Sequence, residues 1–175
     1  MKINYGRGTY GKIELLDDFP TLRNDIEVGN FCSIAENVSA VMAGHNCNWV
    51  TTFPFSYKKT FTNAKDIPGH PVAYNLSIGN DVWIGRKSIL VGNIKIGDGC
   101  IIGGGSVVRG EFEPYSIIIG NPAYCVRKRF TDDQISELLK IKWWEWSDGK
   151  INENVDLLFS GRIDDFIKKH TKGKT

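Results

Sequence analysis

The sequence predicts an all-β solenoid with one projecting loop and a short helical extension at its C-terminal end. Two patterns carry that expectation: a strict six-residue period, and a capping signature after the period ends. From Ile78 an aliphatic residue returns at Ile84, Leu90, Ile96, Ile102 and Val108, and glycine follows it at Gly79, Gly85, Gly97 and Gly103. A second inward candidate recurs four positions after the anchor, as Val82, Ser88, Ile94, Cys100 and Ser106. The same phase opens earlier, in "VGNFCS" from Val28 and "IAENVS" from Ile34. A helix needs returns at three and four, and a plain strand needs one at every second residue. A hexad instead fits one short strand and one tight corner, so that three hexads close a triangular coil with the anchors stacked inside. Glycine supports corner conformations that a β-branched residue resists. Each coil leaves apolar surface open above and below, so several must stack and the ends need covers. The period leaves the hand of the coil open, although parallel crossovers in general are right-handed.

The period stops near residue 41 and resumes near residue 77, a gap too long for an ordinary corner. Trp49, Phe53, Phe55, Tyr57 and Phe61 fall within it, and so aromatic a segment is not disordered. With Lys58, Lys59, Lys65, Pro54 and Pro68 it reads as an ordered excursion from the coil. After Val108 the repeat degrades, and Thr131 with Gln134 makes a capping box that opens a helix through about Lys142. "WWEWSDGKINENVDLLFSG" is expected to form a second short helix ending near Gly161. Trp143, Trp144 and Leu157 would then cover the end of the coil or a neighbouring copy. The solenoid occupies 1–130, with its loop inserted at about 41–77, and the helical extension occupies 131–175.

Composition narrows the function classes. At 175 residues the chain suits one compact domain, and a net charge of +2 is too small to point to nucleic acid as partner. The N-terminal stretch carries charge throughout, unlike a signal peptide. No apolar run reaches the roughly 20 residues that span a bilayer. A cytoplasmic protein without membrane insertion is expected, with "KKHTKGKT" a solvated tail. Cys32, Cys47, Cys100 and Cys125 lack CxxC or zinc spacing and are expected as free thiols. A catalytic zinc typically needs three protein ligands, and His45, His70 and His170 are too scattered to supply them, so no metal is expected.

"GNFCSI", "NDVWIG", "KIGDGCIIGGGSVV", "GNPA" and the C-terminal "IKWWEW…INEN" resemble the hexapeptide acyltransferases over roughly residues 26–160. Within them, the chain is similar to the xenobiotic acetyltransferase branch of streptogramin, type B chloramphenicol and polysaccharide O-acetyltransferases. The resemblance implies a left-handed parallel β-helix and a homotrimer with active sites between subunits. It also implies acetyl-CoA as donor and a general-base histidine at the foot of the projecting loop. His45 holds that position. Histidine as a residue type, with a reference pKa near 6.5, suits proton removal from a hydroxyl as the oxygen attacks a thioester. An acyl-enzyme on nearby Cys47 is the weaker alternative.

Candidates for the pantetheine groove are Trp83 and the glycines Gly103, Gly104 and Gly105, which corner geometry explains equally well. Arg109, Lys128 and Arg129 are candidates for the nucleotide phosphates, or simply a solvated face. Trp49, Phe53, Phe55 and Tyr57 would wall the acceptor site. Two departures bear on the acceptor: the loop looks shorter than in streptogramin enzymes, and the Asn-His pair expected there is Gly44-His45. They favour a sugar hydroxyl on a surface-polysaccharide precursor as acceptor. Antibiotic O-acetylation is the alternative, and a non-catalytic β-helical binding scaffold the second alternative.

Overall fold

A computed structural model describes residues 2–16, 26–64 and 72–171. All six anchors from Ile78 to Val108 are buried, as are the second positions Val82, Ser88, Ile94, Cys100 and Ser106. Parallel pairing sets Ile78 against Ile96, Ile84 against Ile102 and Leu90 against Val108. Each partner therefore lies three hexads further along the chain, and each such stretch of three hexads is a lap. Two sheets curl around the core that these anchors fill. The larger runs in the order Ile3–Tyr5, Ile26–Val28, Leu76–Ile78, Ile89–Ile96, Val38–Val41 and Ile13–Leu15, and Val107–Phe112 also pairs with Ile89–Ile96. The smaller runs Ser33–Ile34, Trp83–Ile84, Ile101–Ile102 and Ser116–Gly120, and ends on antiparallel Ala123–Lys128. Burying an aliphatic side chain contributes about 1.5–3 kcal/mol. Stacking of like residues from lap to lap thus stabilises strands too short to persist alone.

The glycines act differently from the sequence expectation. The left-handed corners fall three residues after the anchor, at Phe31, Asn37, Asp81, Lys87, Gly99 and Gly105, so most are not glycine. The glycine directly after the anchor is needed for close approach between laps. A Cβ at Gly85 would lie 2.5 Å from the Gly104 nitrogen, and one at Gly97 2.5 Å from the Pro114 nitrogen. Adjacent laps leave no room for a methyl there.

The long strand Ile89–Ile96 explains where the excursion leaves. Its first part pairs with Val38–Val41 and its last with Leu76–Ile78, and Gly92 at φ +80° carries it across the corner between them. In the preceding lap that corner is replaced by the loop, which departs after Val41 and rejoins at Leu76. Ala43–Gly44 pairs antiparallel with Val72–Ala73 to close the loop's foot.

Helix α1, Asp132–Ile141, starts on the Thr131–Gln134 capping box with both reciprocal hydrogen bonds formed, and stops at Lys142 in the left-handed region. The second expected helix is broken into α2, Asp148–Asn152, and α3, Val155–Leu158. A further helix, α4, Ile163–Thr171, takes in residues 168–171 of the stretch expected as a solvated tail, the rest of which lies outside the described residues. Phe166 of α4 is buried, and His170 packs 4.6 Å from the Trp146 ring and 4.9 Å from Phe166, so His170 is not a solvated tail residue. Trp144 and Trp146 are buried in this second cluster together with Tyr115, Ile135 and Leu138. Trp143 meets the ring of Phe31 at 5.0 Å. Arg7 reaches Asp148 and the Trp146 carbonyl, and Asn30 donates to the Trp144 carbonyl at 3.3 Å. The partners Phe31, Asp81 and Tyr115 are stacked corner residues of one edge, with the Gly99 corner between the last two. The helices therefore lie along one edge of the laps rather than over an end.

Candidate active site

His45 follows the last residue of the Ala43–Gly44 strand and is exposed. Its Nδ1 lies 2.5 Å from the Thr52 carbonyl oxygen. A carbonyl only accepts, so Nδ1 carries the hydrogen and Nε2 carries the lone pair that a base requires. Short local bonds shape the turn that brings Thr52 back: the Asn46 side chain accepts from the Asn48 N–H at 3.0 Å, and Thr51 Oγ1 from the Phe53 N–H at 3.0 Å. Such side-chain caps favour turns over strand pairing.

The residues on either side of that carbonyl, Thr51 and Phe53, line a cavity of about 530 Å³. Trp49, Pro54, Phe55 and Phe61 complete its apolar wall, and Ser56, Thr60, Thr62 and Asn63 supply neutral polar groups. Phe53 and Phe55 meet edge to face at 4.9 Å, as do Phe55 and Phe61 at 4.8 Å, which holds the rings as one surface. No charged side chain is among the described lining residues. Three of the four aromatic residues expected here, Trp49, Phe53 and Phe55, are thus gathered in one wall. The Tyr57 side chain, His70, Lys65 and Pro68 lie outside the described residues. Cys47 is exposed, with Sγ 4.0 Å from Asn48 Oδ1.

The residues expected to meet acetyl-CoA are dispersed within one chain. Trp83 stands half-exposed on the smaller sheet between Ser33 and Ile101. Gly103, Gly104 and Gly105 form the following corner, where a Cβ at Gly105 would meet open space. Arg109 is exposed and lies over Gly92, at the corner where the loop departs one lap earlier. Lys128 donates to the Pro114 carbonyl at 2.9 Å. Arg129 donates to the Gly99 carbonyl at 2.7 Å, pairs with Asp81 at 3.4 Å and lies over the rings of Tyr115 and Phe130. These contacts give Lys128 and Arg129 intramolecular work that their place in the sequence does not disclose. Burial raises the Asp81 carboxyl to about 6; Arg129 opposes the rise and Asp98 adds to it. Burial also raises the Cys100 thiol to about 11, consistent with a packing role. Among the described residues, no group of three or more His, Cys, Asp or Glu is placed to hold a metal ion, and no helix is long and apolar enough to cross a membrane.

Sequence reasoning missed the Thr52 carbonyl, since a backbone atom leaves no mark on residue type. It also missed the Asp81–Arg129 pair, whose partners are 48 residues apart.

Comparison with known proteins supplies the family. Residues 75–110 match the model of the bacterial transferase hexapeptide (six repeats). A chloramphenicol acetyltransferase of Klebsiella aerogenes is 43% identical over 150 residues, covering 81% of this chain and 70% of the relative. A virginiamycin A acetyltransferase of Staphylococcus aureus is 36% identical over 169 residues, covering 93% of this chain and 76% of the relative. Among solved structures, a galactoside acetyltransferase in complex with coenzyme A shares the fold at a TM-score of 0.50 and 23% identity, over 74% of this chain and 60% of that one. The chain belongs to the hexapeptide-repeat transferases, in the xenobiotic branch of acetyl-CoA-dependent acetyltransferases.

Proposed function

We propose that this enzyme transfers the acetyl group of acetyl-CoA to a hydroxyl of an antibiotic-class acceptor, with His45 as general base. One observation carries the reading: the carbonyl that fixes the His45 tautomer, at Thr52, lies between Thr51 and Phe53, two residues of the wall of an apolar cavity without a charged lining residue among those described. Such a cavity accepts a neutral, drug-sized molecule and offers nothing to a phosphate. Relatives named for chloramphenicol and virginiamycin point the same way. Both considerations favour the antibiotic acceptor over the sugar precursor that loop length and the Gly44-His45 pair suggested. Membership of an enzyme family sets the scaffold alternative aside.

In this reading, His45 Nε2 takes the acceptor's hydroxyl proton as its oxygen bonds to the thioester carbon. The tetrahedral oxyanion collapses, the carbon–sulfur bond breaks, and the imidazolium returns the proton to the departing thiolate. Thr52 holds the ring in the required tautomer throughout. The fold proposed is a left-handed parallel β-helix, supported by the lap of three hexads and by the family. The assembly proposed is a homotrimer. The base and the candidate donor residues Trp83 and Gly103–Gly105 sit at different edges of one chain, so a second copy would complete the site.

The test is release of free CoA with chloramphenicol, a streptogramin or a nucleotide sugar as acceptor. Turnover of a drug is expected, and His45→Ala should lower it by about 10²–10⁴. Turnover of the nucleotide sugar alone would overturn the proposed acceptor. Undiminished activity in His45→Ala would overturn the proposed base.

A further inference from the structure

We infer that Tyr74 is a positioning residue for His45, acting through Gly44; the inference rests on His45 being the base. At the loop's foot Gly44 pairs with Val72, and Tyr74 is the diagonal neighbour two residues on, anchored by its N–H to the Met42 carbonyl at 3.0 Å. Diagonal neighbours in an antiparallel pair are within reach of an aromatic side chain. The Tyr74 ring packs against the main apolar core, and its hydroxyl end lies over Gly44. A Cβ at position 44 would overlap the phenol oxygen and lie 3.1 Å from Tyr74 Cζ. Gly44 does not occupy the left-handed region, so its backbone conformation does not demand glycine. A side chain there would have to displace the hydroxyl end of Tyr74, which fills the side-chain space.

The consequence concerns the next residue. Glycine is the most freely rotating residue in a chain, and a glycine immediately before a catalytic base leaves that base poorly fixed. A rigid ring from the core restores the lost restraint by packing on the Gly44 backbone. Gly44 and Tyr74 are therefore a matched pair: the absence of a side chain at one position is compensated by the bulk of the other. The resemblance led us to expect asparagine before the histidine; here a phenol delivered from the returning strand takes that space.

Four variants test the pair with the proposed antibiotic acceptor: Tyr74→Phe, Tyr74→Ala, Gly44→Ala and the double variant Gly44→Ala/Tyr74→Ala. Kcat, KM for acetyl-CoA and thermal midpoint are measured for each, with His45→Ala as reference. Tyr74→Phe keeps the ring and should stay within about threefold of wild-type kcat. Tyr74→Ala should lose kcat by about 10- to 100-fold, the scale of an ångström-level misplacement, with KM for acetyl-CoA unchanged. Gly44→Ala should be comparably impaired by overlap with the phenol. The double variant should recover most of the loss, because the new methyl enters the emptied space. A Tyr74→Phe loss as deep as that of Tyr74→Ala overturns the inference, as does a double variant no better than either single one. Neither outcome touches the base assignment, which fails only if His45→Ala remains active.

Discussion

The Asp81–Arg129 contact makes a quantitative prediction about pH. Asp81 sits at a left-handed corner, φ 54°, with its side chain 29% exposed against the C-terminal helices. Burial raises its carboxyl from an ordinary 3.8 to about 6, and the pull of Arg129 offsets only part of that rise. A carboxyl raised in this way is protonated more readily in the folded chain than in the unfolded one. Its contribution to stability is therefore fully present below pH 3.8 and lost as pH climbs to about 6. At about 1.36 kcal/mol per tenfold, the loss totals about 3 kcal/mol, of which about 2 kcal/mol is expressed between pH 4 and pH 7. Asp81→Asn keeps the shape and removes the titration, while Arg129 retains the Gly99 carbonyl and its two ring faces. Urea unfolding of both proteins at pH 4 and pH 7, at one protein concentration, gives the difference of differences and cancels other titrating groups. Asparagine should gain about 2 kcal/mol on wild type across that interval. An unchanged difference, or one that moves against asparagine at pH 7, refutes the reasoning and makes the ion pair a net source of stability.

Three further outcomes follow from the packing. Ile96→Ala removes a side chain 2% exposed inside the ladder and should cost about 2–5 kcal/mol, read as a lower urea midpoint at constant slope. Thr131→Ala breaks the capping box of α1 and should cost about 1 kcal/mol by the same measurement. Phe55→Ala removes the ring that links Phe53 to Phe61 and should raise acceptor KM about five- to tenfold, leaving KM for acetyl-CoA unchanged.

The ladder was legible because its physics repeats. A buried anchor such as Ile84 has the same neighbours above and below, so one chemical requirement appears at every lap and leaves a period. The capping box was legible because its two hydrogen bonds lie within four consecutive residues, Thr131 to Gln134. What the sequence hid is non-repeating or long-range. The glycine rule was misassigned because close approach at Gly85 and a left-handed corner at Lys87 lie only two residues apart. The end of helix α4 reads as tail because lysines dominate "KKHTKGKT", whereas one buried phenylalanine and the His170 ring decide its docking. In the site, His45 stood out by type and position. Its partner at Thr52 is a main-chain oxygen, and Tyr74 meets Gly44 only once the loop has closed.

The proposed base is joined to two parts of the molecule that obey different constraints. Its backbone leaves a short strand at the foot of the loop, held by pairing with Val72–Ala73 and by Tyr74 reaching from the core. Its ring is held by Thr52, inside the aromatic loop. The ladder tolerates few changes, since like residues must stack and adjacent backbones touch at Gly85 and Gly97. The loop carries no such lap-to-lap requirement, so its rings can be exchanged without disturbing the stack. Donor chemistry common to a family and acceptors that differ within it are what this division would produce. Ladder substitutions should then move stability and leave the order of preference among acceptors intact. Substitutions at Phe53, Phe55 or Phe61 should reorder the acceptors while the unfolding midpoint stays close to wild type. A loop variant that lowered the midpoint as much as Ile96→Ala would show the loop to be part of the core, and the division would fail.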